Sequence, residues 1–89
     1  MRRDKSIALS ILQVLESRQG IGALGFPELR DVYIESVGAF GEAELGHLNL
    51  LIDGGILQKI PASEFLPARV KMTWAAYDLL DELKKQLDL

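Results

Sequence analysis

Residues 47–57, HLNLLIDGGIL, and residues 73–83, TWAAYDLLDEL, decide the fold of this chain. The first stretch reads as the end of an amphipathic helix, a double-glycine stop and the start of a strand. The second reads as a Thr cap followed by another amphipathic helix. Between them lies a short segment punctuated by Pro61 and Pro67. Helix, strand, loop, strand, helix in this order is the core of a winged-helix domain. The expected architecture is therefore α+β and mostly helical, with three or four helices and a small antiparallel sheet, as one winged-helix-like domain over residues 1–89.

The same rules extend outward from these blocks. A helix is expected over residues 42–53, with Leu45, Leu48, Leu51 and Ile52 as its inward stripe and Gly54-Gly55 ending it through a left-handed residue. Strands are expected at 56–60 and 68–72, with residues 61–67 as the wing loop. Thr73 caps the last helix, in which Ala76, Tyr77, Leu79, Leu80, Leu83 and Leu87 form the inward face. At the other end, residues 4–18 carry Ile7, Ala8, Ile11, Leu12, Val14 and Leu15 on one stripe, with Asp4 at the start and Gly20 as a stop. Leu9 falls off that stripe beside Gln13 and Glu16, which predicts an exposed leucine that could mark a contact surface.

Residues 19–26, QGIGALGF, read as a loop, and residues 27–37 as ambiguous. Leu29, Val32, Tyr33 and Ser36 have helical spacing, and Pro27 suits a first turn. Val32-Tyr33-Ile34 is rich in β-formers and alternates, which favours a short strand at 32–37 after a helical turn. A helix there would instead complete a helix-turn-helix.

Composition bounds the function. The 89 residues suffice for one core, and the 48% apolar content with a mean hydropathy of +0.13 fits a compact globule. There is no cysteine, so disulfides and thiolate metal sites are excluded. No apolar run approaches the roughly 18 residues of a membrane span, and the N-terminus reads as an amphipathic helix rather than a signal sequence. A cytoplasmic protein without membrane contact is expected. The net charge of −3 and pI near 5.0 argue against a strongly basic nucleic-acid binder.

Chemistry-bearing constellations are sparse. His47 is the single histidine, with no cysteine and no HExxH-type spacing around it, and it is expected to be partly buried or interfacial and hydrogen-bonded through one ring nitrogen. The glycines of 20–25 lack both the preceding strand and the Lys-Ser/Thr pair of a phosphate loop. No catalytic residue, metal site, cofactor or small-molecule substrate is expected, and the chain reads as no enzyme. The 42–53 helix carries no Arg or Lys, leaving His47 and Asn49 as the residues that could read bases. Its outer face, Ala43, Gly46 and Leu50 beside His47, suits close packing by a helix of the same domain, by a protein partner or second copy, or by DNA, in that order of preference. Phosphate contacts, if made, fall to Arg2, Arg3, Lys5, Lys59, Arg69 and Lys71, and ordinary solvated strands and termini account for the same charges. Trp74 and Tyr77 could offer a stacking platform for a base. Closure of the core is the preferred role for Trp74, so Trp74→Ala is expected to unfold the domain.

Three blocks carry a family resemblance. The start Met1-Arg2-Arg3-Asp4, the block 47–57 and the block Met72-Thr73-Trp74 with Tyr77-Asp78-Leu79-Leu80-Asp81 resemble a family of small bacterial and prophage proteins. Its members begin M-K-R-D, carry Y-H-L-K-L-L-x-x-A-G-L and end in L-T-W-E-G-H-x-F-L-D. The chain departs at Gly46, Asn49, Gly54, Ala75, Ala76 and Tyr77, so the second histidine of that pattern is missing here. The resemblance implies a winged-helix-like fold and a phage or prophage setting, and transfers no activity. The expected function is a non-enzymatic interaction module acting by protein contact or as part of a regulator. The alternative is a DNA-binding transcriptional regulator using the 42–53 helix and the 59–71 wing.

Overall fold

The computed structural model describes residues 3–18 and 23–87. Its elements run α1 (Lys5–Ser17), β1 (Leu24–Gly25), α2 (Phe26–Val37), α3 (Glu42–Asp53), β2 (Leu57–Ile60), β3 (Arg69–Met72) and α4 (Trp74–Gln86). The strands form one antiparallel sheet in the order β1-β3-β2. This is the expected α+β, winged-helix-like architecture, with α2 and α3 as the helix-turn-helix and residues 61–68 as the wing.

Local chemistry explains most of the boundaries. The Asp4 carboxylate accepts from the Ser6 N–H at 2.8 Å and so caps α1. Thr73 caps α4 by accepting from the Ala76 N–H at 3.3 Å, while its hydroxyl donates to the Ile56 carbonyl at 2.7 Å. That second bond ties the start of α4 to the root of β2. Gly55, at φ +78°, makes the left-handed exit from α3, and Gly38, at φ +130°, ends α2.

Two sequence expectations fail in the first half of the chain. Residues 32–37 are helical, and α2 buries Leu29 and Tyr33, one turn apart, under the core. Tyr33 meets the Phe40 ring edge-on at 5.4 Å, which fixes the turn between α2 and α3. The β-propensity of Val32-Tyr33-Ile34 yields to this packing. Within the 19–26 segment, Leu24 and Gly25 pair with Val70 and Arg69, forming a short strand where a loop is expected, and Phe26 already belongs to α2. Gly20 lies outside the described residues.

The third correction concerns α1. This helix contacts α2, α3, α4 and β3, so it lies at the centre of the domain. Its buried arc runs from Val14 through Ile11, Leu15 and Leu12 to Leu9, which is 3% exposed. Leu9 is a core residue. The strip left to solvent is Ser6, Gln13 and Ser17, with Ser10 half-buried beside it. Around α1 gather Leu29, Leu48, Leu51, Leu57, Val70, Leu80 and Leu83 as one continuous core.

Candidate interaction surfaces

The surface is built outward from α3, the second helix of the helix-turn-helix. Its buried side is His47, Leu48 and Leu51. At 3.6 residues per turn, Glu42, Gly46, Asn49 and Asp53 lie along the opposite line, and all but the half-buried Gly46 are exposed. The outermost ridge of α3 is thus two carboxylates, an amide and a glycine. Leu45, expected inward, is exposed on one shoulder of this ridge, and Leu50 is exposed on the other.

Each shoulder borders an apolar cleft. On the α2 side a cleft of about 460 Å³ is walled by Phe26, Pro27, Phe40, Leu45 and Leu48, with Arg30 and Glu42 at its rim. On the α4 side a cleft of about 600 Å³ runs over Ala8, Leu50, Leu51, Ile56, Leu79 and Leu83. Arg3, Lys5 and Gln86 stand at one end of it, where the Lys5 ammonium donates to the Gln86 side-chain carbonyl at 2.5 Å.

Of the expected interface residues, Ala43 and Leu50 are exposed and Gly46 is half-buried, but His47 is not available to a partner. It is 4% exposed, beneath the start of α1. Its Nε2 accepts from the Asp4 backbone N–H at 2.7 Å. The proton therefore sits on Nδ1, which donates to the Ala43 carbonyl at 2.6 Å. Both ring nitrogens are used, where one bond is expected on sequence, and the residue fastens α3 to the N-cap of α1.

The basic residues expected to meet phosphates do not converge. Arg2 lies outside the described residues. Arg3 and Lys5 sit at the start of α1, whereas Lys71 borders a shallow hollow with Arg18 just past its other end, about 20 Å away along the helix axis. Lys59 pairs with Val70 and shares its face of the sheet, while Arg69 and Lys71 occupy the opposite face. The Lys59 ammonium lies over the Phe26 ring, 5.9 Å from its centroid. Arg69 is half-buried, and its Nε is enclosed without a hydrogen-bond partner.

Trp74 overturns its expected role. It is 84% exposed, on the side of α4 opposite the buried Ala76, Leu80 and Leu83, and it closes no part of the core. Tyr77, expected inward, is partly exposed and borders the hollow next to Lys71. Sequence reasoning also missed the wing tip. Phe65 is 86% exposed and Leu66 half so. Their signal is visible in PASEFLP, because apolar residues in a loop beyond the end of a sheet have no core within reach.

Tyr33 is the one titratable group with a displaced pKa among the described residues. Burial pushes its phenol above the ordinary value of 10.0, the Glu44 carboxylate adds to the rise, a hydrogen bond with Ser10 offsets part of it, and Asp4 raises it slightly. No cluster of three metal-ligating side chains occurs among the described residues, and no described helix is long and apolar enough to cross a membrane. Comparison with family models, with curated proteins and with solved structures finds no match.

Proposed function

We propose that this chain is a non-enzymatic winged-helix interaction module of the cytoplasm that works through protein contact rather than through reading DNA. The observation that carries the reading is the ridge of α3. The helix that would enter a major groove puts Glu42 and Asp53 outermost and has no Lys or Arg on any face. Carboxylates at those positions repel phosphates, and base recognition would fall to Asn49 alone. The apolar shoulders Leu45 and Leu50, each above a cleft, offer instead the desolvatable surface on which protein interfaces are built. A phage or prophage setting belongs to the proposal through the three sequence blocks alone.

The test is a fluorescence-anisotropy titration of labelled duplexes at two salt concentrations, paired with amide chemical-shift mapping. The expected result is no saturable binding at either concentration. Saturable binding with a steep salt slope, and with shifts at Asn49, Lys59, Arg69 and Lys71, would falsify the reading and establish the transcription regulator in its place.

A further inference from the structure

The wing and the α2–α3 cleft fit one another as donor and acceptor. The wing tip is an ordered turn. The Ser63 N–H donates to the Leu66 carbonyl at 2.8 Å, and the Leu66 N–H donates to the Ser63 hydroxyl at 3.2 Å. Phe65 sits inside this pinned turn with nearly all of its ring in water. A preorganised aromatic of this kind loses little conformational freedom on docking, which is the property of interface anchors. The α2–α3 cleft is the aromatic-lined one, with Phe26, Pro27 and Phe40 in its walls and room for a ring. Two charges stand at its rim. Arg30 is opposite in sign to Glu64, the residue just before Phe65, while Glu42 is not, so the pairing depends on Glu64 meeting the Arg30 side.

The root of the wing also adjoins the cleft. Phe26, a wall of the cleft, is the ring over which Lys59 rests, and Lys59 is the penultimate residue of β2, at the root of the wing. Two copies facing each other across a two-fold axis can therefore insert each wing into the other's cleft. Such a contact closes on itself, whereas a wing and a cleft on opposite sides would propagate a filament.

We infer that the occupant of the α2–α3 cleft is Phe65 from the wing of a second copy of this chain, giving a symmetric wing-exchanged dimer. The inference rests on the protein-contact reading above and names its partner. It is tested by sedimentation velocity on the full chain from micromolar to millimolar concentration, with Phe65→Ala, Glu64→Arg, Arg30→Glu and the paired Glu64→Arg/Arg30→Glu variants. The wild type dimerises. Phe65→Ala weakens the dimer at least about 30-fold, as loss of an interface anchor does. Each single charge reversal weakens it about fivefold at low salt, and the pair restores it. All three substituted positions are exposed, and melting temperatures equal to the wild type's at concentrations where every variant is monomeric confirm the fold.

A wild type that stays monomeric overturns the inference, as does a dimer indifferent to Phe65→Ala or an association that grows beyond two copies. The duplex titration keeps the two levels apart. A monomer that ignores DNA removes the wing exchange and leaves the protein-contact reading in place, while saturable duplex binding removes the reading itself.

Discussion

His47→Phe isolates the fastening between α1 and α3. The substitution keeps a ring of similar size in a site that is almost fully buried, so packing changes little and the two hydrogen bonds are what is lost. The Asp4 N–H, part-buried where it meets the ring, then faces carbon in place of its acceptor, at about 1–3 kcal/mol for an orphaned donor. The Ala43 carbonyl keeps its place in the first turn of α3, so losing the Nδ1 bond adds only about 0.5–1.5 kcal/mol. Together the loss is about 1.5–4.5 kcal/mol, against a total near 5–13 kcal/mol for a domain of this length. Urea unfolding at neutral pH reads it as a lower midpoint with an unchanged slope. Amide exchange locates it, because the Asp4 amide and the first turn of α1 lose protection while the β2–β3 ladder keeps it in proportion to global stability. A loss below about 0.5 kcal/mol, or a loss with the α1 start still protected, refutes the idea that His47 holds the two helices together.

Three further outcomes separate the structure from its alternatives. Trp74→Ala changes stability by no more than about 0.5 kcal/mol, and the native protein has the red-shifted emission of a water-exposed indole; a blue-shifted native spectrum or a multi-kcal loss sinks the placement of this residue. Leu9→Ala costs about 2–5 kcal/mol in thermal or urea unfolding, as a core leucine does, and a neutral result returns it to the surface. For Tyr33, burial holds the folded-state phenol above 10.0, so the native state keeps its proton more tightly than the unfolded chain. Stability from this group is whole below pH 10 and declines as pH rises through the folded value. Tyr33→Phe lacks that decline, and its stability difference from wild type shifts in its own favour above pH 10. A difference that stays constant through the alkaline range refutes the assignment.

Much of the fold was legible because its signals are local. The bounds of α3, the glycine exit after it, the Thr73 cap and the hairpin on either side of the two prolines follow from residue types acting on their near neighbours. The misses lie where distant parts of the chain decide. β1 is two residues long and exists because Leu24 finds Val70 in β3, a pairing without periodic trace in the sequence. In α2 the spacing of Leu29 and Tyr33 competed with the β-propensity of 32–34, and the core favoured the spacing. Leu9 was misplaced because one stripe assumes one neighbouring layer, whereas α1 has four elements around it. Trp74 is the opposite case. The period of Ala76, Leu80 and Leu83 sets it on the outer side of α4, and that period outweighs the general tendency of tryptophan to be buried.

The same distinction between local pattern and side-chain chemistry governs the functional surface. The helix-turn-helix supplies a frame that holds α3, about 18 Å of helix, on the core with its Glu42–Asp53 ridge outward. A duplex meets such a helix with one negative charge per roughly 1.7 Å of its axis, so the sign of the ridge decides whether the frame can be used for DNA. Here the ridge carries a carboxylate near each end and no Lys or Arg of its own; Arg30 stands beside Glu42 at the rim of one cleft and Arg3 and Lys5 at the end of the other, while Lys59, Arg69 and Lys71 are divided between the two faces of the sheet. What α3 offers is apolar, at Leu45 and Leu50, and the wing adds Glu64-Phe65-Leu66 where a phosphate-binding wing would place lysines and arginines. Both elements that a nucleic-acid reader of this frame would use, α3 and the wing tip, present acidic and apolar side chains, and this supports the protein-contact proposal.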